Sequence, residues 1–272
     1  MPSQEEFEAW AAQLVGVIAG EIRRYRQRQG LSVQQLSDQI AAEYGMQIKR
    51  SVLSNLELGH RSTISVVELL ILAKVLRVPP LLLLFPLGRQ ESVEILPDYT
   101  AEVWQAARWF TSEKPFPPKL ACEAGELQLP PEDVESWEHG ATPARAYREH
   151  DWLINQHSRA VTNASRARYT AAEDHKQVQD AQRKRDLIQE GIKGETPPSD
   201  KQLAILTEAS IVLRSLLDRQ EMNRRYCDAE CERARELEKI LAGQRRQMRQ
   251  QGLIPPLLGP DLEHLDELIP DQ

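Results

Sequence analysis

The chain has 272 residues and a formal net charge of −7, with 41% of its residues apolar. That length leaves room for about two domains, and no run of about 18 apolar residues exists, so no membrane span is expected. Three cysteines, few and odd in number, argue against a disulfide framework and fit a reducing cytoplasm. The opening MPSQEEFEAW lacks a basic segment followed by an apolar core, so it does not read as a secretory signal. The charge is unevenly spread. Residues 1–90 carry ten Lys+Arg against eight Asp+Glu, a net of +2, while residues 91–272 carry 24 against 33, a net of −9. The acid therefore lies outside the segment with the most informative motifs, and a local basic face matters more than the whole-chain sum.

In chain order, Ser3 with Glu6 has capping-box spacing, and an apolar stripe follows through Phe7, Trp10, Leu14, Ile18, Ile22 and Tyr25. This predicts a helix from about residue 4 to 29, ended by Gly30. Ser32 with Gln35 opens a second helix, with Leu36 and Ile40 inward. A third starts near Arg50 or Ser51, buries Val52, Leu53 and Leu56, and stops at Gly59. Ser65 with Glu68 opens a fourth over Leu69, Leu72, Ala73 and Leu76. Pro79-Pro80 breaks the chain before a short fifth helix, Leu81 to Phe85. The third helix is the one that would present Lys49, Arg50, Ser51, Ser54 and Asn55 on one exposed face.

Residues 91–143 read as a proline-rich linker. It holds one short accessory helix, capped by Thr100 and carrying Val103, Trp104, Ala107, Trp109 and Phe110, while Lys114 to Pro131 reads as loop. From about Ala144 the pattern becomes long and helical, with 3-4 spacing of Leu153, His157, Ala160, Ala164, Ala167, Ala171, Val178, Ala181, Ile188 and Ile192, interrupted at Asp174 and Arg185. Gly191, Gly194, Pro197 and Pro198 end it. Ser199 with Gln202 opens a partner helix along Leu203, Leu206, Ser210, Leu213, Leu217, Gln220, Cys227, Cys231, Ala234 and Leu241. Two heptad segments around one tight break predict an antiparallel coiled-coil hairpin over 144–252, each arm about 70 Å long. A fold-back within one chain and a bundle of two chains fit the pattern equally well. Arg183-Lys184-Arg185 and Arg245-Arg246 read as solvated coil faces. The tail, 253–272, is acidic with Leu262, Leu265, Leu268 and Ile269: a frayed end, or a short amphipathic helix docked on this chain or on a partner. The whole is an all-α protein whose first domain, 1–90, is a five-helix bundle.

Chemistry-bearing constellations are sparse. There is no P-loop, no glycine-rich dinucleotide turn and no HExxH, and the six histidines show no metal or nucleophile pairing. Cys227 and Cys231 share a helix face, but zinc would need two more ligands that no pair at ligand spacing supplies. The expectation is a non-enzymatic protein without cofactor or metal.

The segments Ile22–Ser32 (IRRYRQRQGLS), Leu36-Ser37, Ser51–Gly59 (SVLSNLELG) and Ile64–Phe85 together resemble the XRE family of regulators, which includes the phage Cro and repressor proteins; the resemblance covers about residues 15–87. It implies a helix-turn-helix in which the first helix of the pair braces the second across the DNA major groove. By position, Arg50, Ser51, Ser54 and Asn55 would read bases, Arg50 suiting guanine and Asn55 adenine. Lys49, His60, Arg61 and Gln34 would hold phosphates, and Arg26 with Glu57 would form a structural ion pair. Two departures stand out. The connection from Ile40 to Ile48 is about six residues longer than the family's tight turn, to be absorbed by a longer helix or a wider loop. Val33 replaces a phosphate-touching Gln, for which Gln34 or Gln35 would compensate. The implied function is a sequence-specific, cytoplasmic DNA-binding transcription regulator acting on double-stranded DNA as a homodimer, with a further protein partner possible through the coil and no role at a membrane. The competing reading is a coiled-coil scaffold whose first domain docks a protein.

Overall fold

The computed structural model describes residues 3–121, 125–127, 131–193 and 197–267. Gly194, Leu268 and Ile269, named above, lie outside them. The chain divides into two compact units, Met1–Thr142 and Pro143–Gln272.

The first unit opens with α1 (Gln4–Arg28), α2 (Val33–Tyr44), α3 (Arg50–Glu57), α4 (Val66–Val75) and α5 (Leu81–Leu84). Three of the five starts are closed by reciprocal capping boxes: Ser3 with Glu6, Ser32 with Gln35 and Ser65 with Glu68. Each satisfies helix N–H groups that would otherwise lack a partner. The helices meet on one aliphatic core in which Ile22, Leu36, Ile40, Leu53, Leu56, Leu72, Leu76 and Leu83 are all but inaccessible.

The proline-rich segment holds more than one helix. Its first part is a β-hairpin, β1 (Ser92–Leu96) with antiparallel β2 (Tyr99–Glu102), turning at Asp98 with φ 55°. The Asp98 N–H donates back to a Glu94 carboxylate oxygen at 2.8 Å. Thr100 is therefore a strand residue opposite Glu94, and α6 (Val103–Phe110) starts three residues later than its expected cap. Val93, Ile95, Ala101, Val103, Ala106 and Ala107 close around Phe85 as a second core, and Leu84 touches both cores. The Trp10 indole N–H donates to the Glu94 carbonyl at 3.2 Å, tying α1 to β1. Lys114 to Pro131 is likewise not plain loop. Phe116 packs its ring on Tyr99 and Trp109, the Tyr99 hydroxyl donates to the Pro117 carbonyl at 2.8 Å, and β3 (Lys119–Ala121) pairs with β4 (Gly125–Leu127) before α7 (Pro131–Gly140). Strands of three to five residues are too short to show a period of two above the surrounding prolines. Residues 91–142 thus belong to the same compact body as the five helices.

The second unit is a hairpin formed within one chain by two helices of 51 residues, α8 (Thr142–Ile192) and α9 (Asp200–Gln250). Their antiparallel register is pinned by cross-helix bonds: Gln244 to the Ala146 carbonyl, His157 to Glu238, Cys227 to the Ala164 carbonyl, and Asp174 to Arg219 and Asn223. Leu153, His157, Ala160, Ala164, Ala167 and Val178 are buried on α8. Asp174 is buried with them, because Arg219 at 2.7 Å and Asn223 at 2.6 Å take its two oxygens. On α9 the seam runs through Leu213, Cys227, Glu230, Ala234, Leu237, Leu241, Gln244 and Met248, while Leu203 and Leu217 lie outside it.

The tail docks on its own hairpin. A 3-10 turn (Pro260–Leu262) and α10 (His264–Glu267) place Leu262 and Leu265 on Leu153, Ala160, Ala234, Leu237 and Leu241. Arg245 is consequently not on a solvated face. It is 2% exposed, donates twice to Asp266 at 2.8 Å, and reaches the Pro256 carbonyl and His150 Nε2 at 2.7 Å. Burial tends to raise the Asp266 carboxyl, but Arg245 and Arg249 outweigh it and hold the group below its ordinary value. Burial, then the Arg245 charge, lowers the affinity of His150 for a proton, against the pull of Asp151 and Asp266.

Candidate nucleic-acid interface

The interface is built on α2 and α3, which pack on each other while α1 packs on α3. The long connection is absorbed mainly by α2, which continues to Tyr44 and ends at Gly45 in the left-handed conformation, φ 65°. That backbone state costs glycine nothing and other residues about 1 kcal/mol or more. Five residues, Gly45 to Lys49, then return the chain to α3, with Met46 and Ile48 against the core. The Ser37 hydroxyl donates to the Ile48 carbonyl at 2.6 Å and so ties the end of the connection back to α2.

α3 is two-faced. Leu53 and Leu56 are buried in the core; Arg50, Ser51 and Asn55 are exposed, and Ser54 is half-buried beside them. Lys49 precedes the helix, exposed, and supplies no side-chain cap. At the other end Gly59, φ 76°, closes the helix, and the His60 N–H bonds back to the Asn55 carbonyl at 2.9 Å. Lys49, Arg50, Ser51, Ser54 and Asn55 therefore share one outward patch, with His60 exposed just past the helix.

The orientation of α3 is held from behind. Arg26 grips Glu57 through two bonds, Nε at 2.7 Å and Nη2 at 2.6 Å, and uses Nη1 for the Leu31 carbonyl at 2.6 Å. The Glu57 hydrogen bond raises the guanidinium's proton affinity further, against the opposing effect of burial. Three groups of one side chain thereby join α1, the α1–α2 turn and the end of α3.

Two of the expected phosphate residues have protein partners. Arg61 pairs with Glu68 in a fork, at 2.7 and 2.9 Å, and Glu68 also accepts the Ser65 N–H at 2.8 Å. Burial pushes the Glu68 carboxyl up, and Arg61 with Ser65 more than reverses this. Arg61 thus completes the cap of α4 rather than standing as a free cation. Gln34 is exposed and reaches Asp38 at 2.7 Å. Gln35 is occupied in the α2 cap, accepting the Ser32 N–H at 2.8 Å, and Val33 packs on the core. Both residues offered in place of the family's Gln are exposed, Gln34 with its amide on Asp38 and Gln35 with its oxygen in the cap.

The sequence reading missed two residues. Glu21, 5% exposed at its side chain, is held by Arg24 and by Arg89 at 2.7 Å, tying α1 to the segment after α5. An acid inside an apolar stripe with Arg three residues on was the available signal. Ser37 was noticed only as part of a resemblance, because its acceptor is eleven residues away and no local spacing reveals it.

Residues 22–83 match the model of the family described as Helix-turn-helix. The match is to the Cro/C1-type (XRE) helix-turn-helix, a DNA-binding class, and it covers under a quarter of the chain. No curated protein and no solved structure matches the chain. Among the described residues no helix is long and apolar enough to cross a membrane.

Proposed function

We propose that the protein is a non-enzymatic, sequence-specific transcription regulator that lays α3 in the major groove of double-stranded DNA. The observation that carries this is the division of α3: its apolar side is locked in the core, its Arg50–Ser51–Ser54–Asn55 side faces solvent, and Arg26–Glu57 holds the angle. Arg50 presents the fork that suits guanine O6 and N7; Asn55, one turn on, suits adenine N6 and N7. Ser51 and Ser54 supply short hydroxyls to neighbouring base edges. Lys49, His60 and Gln34 flank this patch and suit phosphates; Arg61 would reach one only by leaving Glu68. With a net charge of only +2 over residues 1–90, one copy binds weakly and strongly salt-dependently. Two copies on a near-palindromic site, with half-sites about 34 Å apart, supply the affinity. The protein acts in the cytoplasm, where that DNA lies.

Selection of bound sequences from a random DNA pool by the full-length protein tests this reading. A two-fold symmetric consensus is expected. Arg50→Ala should weaken binding by about 1–3 kcal/mol and relax preference at one base, and Lys49→Ala should weaken all sequences alike with a shallower salt dependence. Binding without sequence preference or salt dependence would instead favour the scaffold reading, in which the hairpin is the active part and α3 docks a protein.

A further inference from the structure

The two ends of the α8–α9 hairpin are finished differently. At the end near Leu153 and Leu241 the docked tail supplies a third layer, and Leu241 is wholly inaccessible. At the other end, where α8 approaches Ile192 and α9 begins, the seam residues Ile188, Ile192, Leu206 and Leu216 are only half-buried. Their neighbours Leu187, Leu203, Ile205, Ile211, Val212 and Leu217 are exposed, Leu187 at 70% and Ile211 at 64%. The first turns of α9, LAILTEASIVLRSLL from Leu203 to Leu217, hold one acid and one base, Glu208 and Arg214. Apolar residues flank the seam on both sides and extend to the outer face.

A helix that is apolar all round belongs inside an assembly of more than two helices. A two-helix coil covers one stripe of each partner and leaves the rest in water. Six exposed large side chains and the half-buried seam beneath them offer on the order of 600–800 Å² per copy, close to one side of a standard stable interface. The charges beside them are of opposite balance on the two helices. Residues 176–193 of α8 carry five Lys+Arg against three Asp+Glu, while 200–218 of α9 carry two against three. An isologous pairing sets α8 of one copy beside α9 of the other, so the same patch meets itself with favourable signs.

We propose that this end of the hairpin, Leu187–Ile192 with Leu203–Leu217, is the surface through which two copies of the chain associate, as a four-helix bundle. The inference rests on the DNA-reading proposal only for the use of the pairing. The pairing itself forms without DNA.

Molar mass by sedimentation over a concentration series, with the full chain and no DNA, tests it. The native protein is expected to be a dimer at micromolar concentration. Ile205→Glu with Val212→Glu places two carboxylates in the contact and should raise the dissociation constant at least about 100-fold. Tyr169→Glu, an exposed substitution outside the patch, should leave it unchanged. Because all three positions are exposed, helix content by circular dichroism should stay native, and Ile211→Gln gives a milder second variant with the same direction of effect. A native protein that is monomeric at 100 times micromolar concentration overturns the proposal, as does an Ile205→Glu/Val212→Glu protein that still dimerises as tightly. A dimer without sequence preference for DNA would sink the regulator reading alone.

Discussion

The two units are held together by different means. In the first, short helices of four to 25 residues surround a core of large aliphatic side chains, and the ion pair that crosses it, Arg26–Glu57, is almost wholly removed from water. In the second, two helices of 51 residues meet along a seam in which alanine, cysteine and polar groups outnumber large aliphatics, and Asp174 is buried in that seam with Arg219 and Asn223 on its oxygens. Short helices are marginal alone, so the first unit needs volume in its core and caps at its ends. Long helices gain from length, so the second unit can use small residues for close approach and polar ones for register.

The largest expected effect falls on the first unit. Glu57→Ala leaves the Arg26 guanidinium buried without its partner and should cost about 3–5 kcal/mol in chemical denaturation. A loss below about 1 kcal/mol would mean that Arg26 finds water, and that the first unit's core does not depend on this pair. Next comes Ala164→Leu on the seam. Ala164 is buried with its carbonyl accepting from the Cys227 thiol at 3.5 Å, so the larger side chain forces the helices apart. A loss of about 1–3 kcal/mol from overpacking is expected, with helix content retained. A gain in stability would show that the seam has spare volume.

The smallest effect is a pH dependence confined to the second unit. His150 binds its proton less readily folded than unfolded, because of burial and then the Arg245 charge. Below about pH 6.5, its ordinary value, the unfolded chain therefore takes up the proton first. Stability contributed above that pH is lost as pH falls toward the lowered folded value, by at most about 1.4 kcal/mol per pH unit. Asp266, whose carboxyl is also held low, titrates further down. The melting temperature should drop between pH 7.5 and 5.5 in the native protein and much less in His150→Gln. Equal slopes in the two proteins would remove His150 from the account.

What could be read in the sequence was local and periodic. Capping boxes at Ser3, Ser32, Ser65 and Ser199 mark helix starts because donor and acceptor lie three residues apart. The apolar part of the α8 seam follows from spacing on one helix face, whereas Asp174, expected to interrupt it, is buried within it because Arg219 and Asn223 take its oxygens. The two-faced character of α3 was legible for the same reason: eight residues suffice to separate Leu53 and Leu56 from Arg50, Ser51 and Asn55.

Tertiary structure decided everything whose partner is distant. The β1–β2 hairpin forms because Phe85 and α6 give Val93 and Ile95 a surface to bury against. Arg61 turns to Glu68, and Arg245 sinks beneath the tail, because carboxylates seven and 21 residues away come within hydrogen-bond reach only in the folded chain. A charge shows its sign in the sequence. Whether it meets water, phosphate or a buried counter-ion depends on which surfaces folding brings to it, and for those two arginines it brought carboxylates.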